Sequence, residues 1–521
     1  MVNQLQRLLH DSLIFSAAEF STKTALVVEG TPYTYEQLMR SAQRLASFLQ
    51  NRGLKRGDRV AIYMDNTWPC VVATYGTLLA GGVFLVINPQ TKSEKLQYIL
   101  NDCQATTFIS DGHLTGVFLG VLGNTPSVQT IICSGKQPQI EGLIIHAFDA
   151  CIAENQSILY KNATISPDLA ALIYTSGSTG DPKGVMMTHR SMVFTAGSLI
   201  QYLRLNSSDR IINVLPFAFD YGLYQLLMAV RLGATLVLER SFTYPALVIN
   251  RILSEQVSVF PGVPTIYMTL IGMHNRNPLC FPSVTRITNT AASLPSEIVP
   301  KLKEIFPNAL VFRMYGLTEC KRVCYLEPEL VDKKPESVGR AIPGTEVFIL
   351  NENGEPVQPG ETGILYVRGD HVMVGYWNKP ALTDEMIKPG KLPGERILCT
   401  HDYFTIDEDG CLYFKGRSDD IIKTRGEKVS PVEVENCLYG ISGIREAAVI
   451  GVSDILLGEV IRAFVALEAD SKLTEKEIKS ICLSKLENFM VPKEIIFLPE
   501  LPKTATGKIQ KKALRTREVI T

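Results

Sequence analysis

What this sequence has little of is charge bias: 52 lysines and arginines face 53 aspartates and glutamates, a formal net charge of −1. That balance removes the electrostatic case for nucleic acid or an anionic membrane surface as a partner and leaves a small molecule or another protein. Long apolar runs are missing too. The longest, GTLLAGGVFLVI at 76–87, is too short and too rich in glycine to span a bilayer, and MVNQLQRLLHDSL at the N-terminus lacks the apolar core of a secretory signal. No membrane association is therefore expected. The eleven cysteines are an odd number without a C-x-x-C, which argues for reduced thiols in a cytoplasmic protein. Cys320 and Cys324 have the spacing of one helical face, but two thiols without a nearby histidine make a poor metal site. Internal repeats, low-complexity tracts and the dinucleotide fingerprint G-x-G-x-x-G are absent as well.

What is there is bulk. At 521 residues and 46% hydrophobic content the chain exceeds what one core usually supports, so more than one domain is expected. Thr34-Tyr35-Glu36-Gln37 has the pattern of a capping box opening an amphipathic run that ends at Gly53. Strand-like DRVAIYM follows at 58–64, and apolar runs such as ATLVL alternate with helical stretches such as GLYQLLMAV as far as 240, the texture of α/β layers. From about 337 short strands are separated by the turn clusters NENGEPVQPGETG and KPGKLPGE, a β-rich subdomain running to Gly416. Beyond the junction GRSDD, Ser430-Pro431-Val432-Glu433 and Thr474-Glu475-Lys476-Glu477 read as two more capping boxes around strand-like REAAVIGV and IRAFVALEA. The expected organisation is a core over 1–416, with its β-rich part at about 337–416, and a small α/β domain over 417–521.

The stretch YTSGSTGDPKGV at 174–185 is the clearest candidate for chemistry. It fails the Walker spacing, because five residues on from Gly177 stands Pro182. Small residues nevertheless let a backbone close around an anion, offering N–H groups and hydroxyls while Lys183 adds a point charge. A plain glycine-serine hairpin between the strands ALIY and GVMMT fits the composition equally well.

The order of the residues resembles, without gap or mismatch, the phosphate loop of the adenylate-forming superfamily of acyl-CoA synthetases, peptide-synthetase adenylation domains and luciferases. LLAGGVFLVINP, MYGLTE, THDY, GRSDDIIKTRG and LPKTATGKIQKKAL follow in that family's order across nearly the whole chain. The resemblance implies a large N-terminal domain of two α/β layers plus a β-rich subdomain, with a small mobile C-terminal domain, and ATP and Mg²⁺ as cofactors. It implies that Thr175, Ser176, Gly177, Ser178, Thr179, Gly180 and Lys183 hold phosphates and that Ala291 also touches the nucleotide. Tyr315 would stack on adenine, Thr318 touch the α-phosphate and Glu319 hold Mg²⁺, a fitting donor for a hard cation. Asp402 matches the ribose-binding acid, with His401 where the family usually has glycine, which puts the local backbone geometry in question. Arg417 reaches ribose or phosphates, Asp419 is the swivel of the small domain, Lys508 the catalytic lysine, and Gly426 the gap for a pantetheine thiol. HDSL at 10–13 resembles a carrier's serine motif but lies too near the terminus for the preceding helix, so any carrier is a separate chain.

The substrate is read from LPFAFDYG at 215–222. An acid embedded in VLPFAFDYGLYQLLMAV is costly unless it caps the following helix or meets a cation. An FD pair at this place resembles α-amino-acid adenylation domains, where the aspartate pairs with the substrate ammonium. On that reading Asp220 orients an amino acid, and Phe219, Tyr221, Tyr224 and Met314 shape a compact pocket. FDYG with YGLTECKRV resembles stand-alone prolyl adenylation enzymes, so L-proline loaded onto a phosphopantetheinylated carrier protein in trans is the expected activity. The alternatives are a fatty or aryl acyl-CoA synthetase, beside whose apolar tail Asp220 would be a liability, and a nucleotide- or carrier-binding protein without chemistry.

Overall fold

Thr34 opens the first long helix as its pattern demands. Its hydroxyl accepts from the Gln37 amide at 3.2 Å and the Gln37 side chain accepts from the Thr34 amide at 2.8 Å, satisfying two N-terminal donors of the helix Tyr35–Asn51. Thr474 makes the same reciprocal box with Glu477 at the head of Glu475–Lys485. Ser430 accepts from the Glu433 amide, but its own hydroxyl donates to the Lys415 carbonyl instead of completing a box, and so ties the C-terminal part to the preceding strand. The computed structural model describes residues 6–139, 143–154, 158, 160–161, 164–176, 182–290, 294–417, 420–424, 427–454, 458–486, 488–504 and 507–515, with backbone alone at 176, 423, 427, 428 and 458.

The described residues form the expected α/β architecture. One eight-stranded sheet carries Arg59–Tyr63, Val83–Ile87, Thr107–Asp111 and Leu169–Ser176 in its interior. A nine-stranded sheet holds the parallel neighbours Arg210–Asn213, Val259–Gly262, Arg286–Asn289 and Leu310–Tyr315. Helices such as Trp68–Leu79 and Asp220–Leu232, buried over most of their surface, share one continuous apolar core with strands of both sheets, as parallel sheets covered by helices require. Two five-stranded sheets follow. The first contains Glu346–Leu350, Gly363–Arg368 and Arg396–Ile406, and the second Ile444–Asp454 and Gly458–Leu467 with a core of its own around Val434, Leu438, Val449 and Ile478. The short strand Arg340–Ala341 pairs with Cys324–Leu326 and so belongs to the nine-stranded sheet, not to the β-rich region that begins a few residues later. Among the described residues no helix is long and apolar enough to cross a membrane.

Candidate active site

In open α/β sheets ligands settle beyond the carboxyl ends of the parallel strands, and a large cavity lies there. It has a volume of about 900 Å³. The segments that leave four neighbouring strands form its walls: Val214–Gly222 after Arg210–Asn213, Val263–Ile266 after Val259–Gly262, Thr290 after Arg286–Asn289, and Gly316–Thr318 after Leu310–Tyr315. Gly507, from the C-terminal part, closes one side. A Cβ there would stand 2.6 Å from the Thr265 hydroxyl, and the residue holds φ at +79°, so only glycine allows this approach.

Of the described nucleotide-side residues, Thr318 lines that cavity, while Thr175, Lys183, Tyr315, Glu319, Asp402, Arg417 and Lys508 lie outside its lining. Leu169–Ser176 and Pro182–Thr188 form an antiparallel hairpin with Thr175 opposite Lys183. Of the phosphate-loop residues, Gly177, Ser178, Thr179 and Gly180 lie outside the described residues, as do Ala291, Asp419 and Gly426. Tyr315 presses one ring face toward Phe414, at 5.8 Å between centroids and 28° between planes, and donates its hydroxyl to Asp402. Burial, and then the Asp402 charge, push its pKa well up, so it remains a neutral donor. Asp402 is buried at 3% exposure, and Arg417 approaches it with Nε 3.4 Å from Oδ1, the two being register partners of adjacent strands. His401 holds φ at +56°, the left-handed conformation that glycine adopts without cost. The left-handed kink inside the strand Arg396–Ile406 therefore survives the histidine, whose Nε2 sits 3.3 Å from the Glu385 carbonyl.

Lys508 follows Gly507 in a tight loop in which its amide donates to the Thr504 hydroxyl at 3.1 Å. Its side chain keeps exposed surface, yet the surrounding protein and the like charge of Arg417 hold its pKa below the usual lysine value, against the pull of Asp402 and Asp420. Those three charges place Lys508 with the nucleotide-side residues. Glu319 accepts a hydrogen bond from the Tyr376 hydroxyl at 2.5 Å.

The acyl side corrects the reading of the pocket. Phe219, Asp220 and Tyr221 line the cavity; Tyr224 and Met314 do not, and border a small void behind it. Tyr224 shares a helical face with Asp220 but sits one turn deeper in the core, at 1% exposure. Asp220 is not the helix cap either. It is the first residue of Asp220–Leu232, after Phe219 at the N-cap position, where an acid is favoured by the helix dipole. Its partner is a lysine that sequence reasoning missed: Lys321 Nζ lies 3.5 Å from Asp220 Oδ2, with side-chain exposures of 2% and 19%. The ammonium also rests over the rings of Tyr221 and Tyr224, at 5.5 and 4.9 Å from their centroids. Burial lowers the Lys321 pKa to about 7, opposed by Asp220 and assisted by Arg322. Arg322, also buried, reaches the Thr290 hydroxyl.

The turn that delivers both cations is built locally. Lys321 adopts φ of +65°, and a Cβ on Gly316 would meet its carbonyl oxygen at 2.4 Å, so YG in MYGLTECKRV is needed to fold the segment back. The only hint in the sequence was the dipeptide KR itself.

Comparison with known proteins matches residues 15–377 to the family described as AMP-binding enzyme and residues 433–508 to the AMP-binding enzyme C-terminal domain. The chain is 33% identical over 540 residues to a long-chain-fatty-acid–CoA ligase of Bacillus subtilis (strain 168), covering 99% of this chain and 94% of that protein. It is 29% identical over 500 residues to gramicidin S synthase 2 of Brevibacillus brevis, covering 95% of this chain but 11% of that protein. Among solved structures, an anthranilate CoA ligase in complex with anthranoyl-AMP superposes with a TM-score of 0.91 at 28% identity, covering 99% of this chain and 98% of its own.

Proposed function

We propose, on the premise that this chain belongs to the AMP-binding enzyme family, that it joins a compact aryl or short acyl acid to coenzyme A. The coarser activity is that of an AMP-forming acid–thiol ligase working with ATP and Mg²⁺. In the first half-reaction a carboxylate oxygen attacks the α-phosphorus of ATP and pyrophosphate leaves. In the second a thiol attacks the acyl carbonyl and AMP leaves. Asp402 and Arg417 would hold the ribose and phosphates, Tyr315 the adenine, Lys183 and Thr318 the phosphates, and Lys508 the charge that develops at the α-phosphate; such pre-aimed charges supply much of the rate in phosphoryl and acyl transfer. Glu319 offers the carboxylate oxygen a hard cation prefers, and bound Mg²⁺ would spread the negative charge of the triphosphate.

The observation that carries the choice of acid is the Asp220–Lys321 pair. An aspartate already neutralised by a buried lysine needs no substrate ammonium, which removes the liability it would otherwise be beside an uncharged acyl group. Tyr221 and the pair together bound the acyl end, which favours a short or flat acid over a long chain. The coenzyme A ligases among the relatives and structures support the same choice of thiol.

A second reading keeps L-proline and a carrier protein. It is favoured by Asp220 facing the cavity at a separation from Lys321 longer than a hydrogen bond, which leaves a substrate ammonium room to share the carboxylate. Exchange of pyrophosphate into ATP, run with aryl acids, fatty acids and the twenty amino acids, separates the readings. Aryl or short acyl acids are expected to give the highest exchange; a response confined to L-proline overturns the first reading in favour of the second. For both readings the domain division falls near Gly416, with Asp419 as the swivel that withdraws Lys508 after adenylation and Gly426 as the gap that admits the thiol.

A further inference from the structure

Tyr376 is buried at 4% exposure and both ends of its side chain are engaged. The hydroxyl donates to Glu319 Oε1 at 2.5 Å, the short distance of a charge-assisted bond, and the Lys183 ammonium rests 5.4 Å from the ring centroid, within cation–π reach. Its backbone is fixed as firmly. Tyr376 is the register partner of Val185 in the strand that leaves the phosphate loop, the next amide, of Trp377, donates to the Gly184 carbonyl at 2.8 Å, and its own amide donates to the Thr383 hydroxyl at 2.9 Å. The same strand segment therefore fastens the phosphate-loop lysine and the acid of the MYGLTE turn, which lie 136 positions apart in the sequence.

We propose that Tyr376 is a positioning residue for the metal and the triphosphate: its hydroxyl fixes one oxygen of Glu319 and leaves the other for Mg²⁺, while its ring seats Lys183 toward the phosphates. The reason is chemical. A carboxylate with both oxygens loose must lose rotamer freedom when it ligates a cation, and a hydrogen bond to one oxygen makes that loss in advance; outer partners of this kind typically set metal affinity by about 10- to 100-fold. The inference rests on Glu319 as the metal-binding acid and not on which acid is activated.

The test uses the full chain without any acid substrate, so that the identity of the acid cannot enter. ATP binding is measured by calorimetry with EDTA and then over a series of Mg²⁺ concentrations. For Tyr376→Phe, which keeps the ring, metal-free ATP affinity is expected to stay within about twofold, while the Mg²⁺ concentration giving half of the metal-dependent tightening rises roughly 10- to 100-fold. Tyr376→Trp, which keeps an aromatic face and displaces the donor, should behave alike and serves if the phenylalanine variant folds poorly. In a Glu319→Gln background the phenylalanine substitution should add nothing. An unchanged Mg²⁺ dependence in both tyrosine variants, or full additivity with Glu319→Gln, overturns the proposal.

Discussion

Replacing Lys321 with methionine removes one charge from the floor of the acyl pocket and very little volume. At 3.5 Å and an effective dielectric constant of about 20, two unit charges attract by about 5 kcal/mol, an attraction partly offset by the cost of burying the lysine. Breaking a buried pair costs about 3–5 kcal/mol because one charge is left alone; with Asp220 retaining 19% side-chain exposure, about 2–3 kcal/mol is expected here. Thermal unfolding should drop by several degrees, and the double variant Asp220→Asn/Lys321→Met should recover more than half of the loss, because no lone charge remains. The functional consequence is more specific. Without Lys321, Asp220 is available to a substrate ammonium, so pyrophosphate exchange with compact amino acids should rise at least about tenfold relative to aryl acids. A Lys321→Met enzyme that loses stability as expected but keeps the wild-type ratio of amino-acid to aryl-acid exchange would refute the argument that the internal pair sets the charge of the substrate.

Four further outcomes follow from the same geometry. Lys321 titrates near 7 in the fold and near 10.4 when unfolded; between those values the unfolded chain binds the extra proton, so this residue's contribution to stability improves as pH rises through that window, while its attraction for Asp220 fades, and exchange with amino acids relative to aryl acids should therefore increase from pH 6 to pH 8.5. Lys508→Ala should slow adenylation by about 10²- to 10³-fold while leaving thiol transfer from a supplied acyl adenylate nearly intact, measured as paired exchange and thioester assays. Asp419→Pro, which restricts φ at the proposed swivel, should show the opposite pattern, sparing exchange and blocking thioester formation. His401→Gly should raise the melting temperature slightly or leave it unchanged, because relief of the +56° φ, about 1 kcal/mol, opposes the greater freedom of glycine in the unfolded chain; a clear loss of stability would show that the imidazole itself holds the kink in the strand.

Local signals in the sequence were legible where the structure depends on near neighbours. The capping boxes at Thr34 and Thr474 are patterns over four residues, and both form as read. The left-handed kink at His401, inside the strand Arg396–Ile406, survived the histidine. The substrate pocket was not legible, since it depends on partners that meet only through the sheets. Asp220 and Lys321 are 101 positions apart in the sequence, and nothing in FDYG indicates that its acid arrives already paired. Tyr224 was misplaced for a different reason: the i, i+4 spacing gives the helical face correctly but not the depth along it, and one turn carried the ring into the core. Tyr376 went unnoticed because GYW reads as an ordinary strand end until its pairing with Val185 brings it beneath Lys183.

The central claim is that the pocket carries its own counter-ion for Asp220 and so activates an acid without an amino group. The most direct test is a single competition: wild-type protein with ATP, Mg²⁺, coenzyme A, a phosphopantetheinylated carrier protein and equimolar benzoate, hexanoate and L-proline, the thioester products being identified by mass spectrometry. The account predicts benzoyl- or hexanoyl-coenzyme A as the dominant product. A prolyl thioester on the carrier, formed in preference to either, would contradict it.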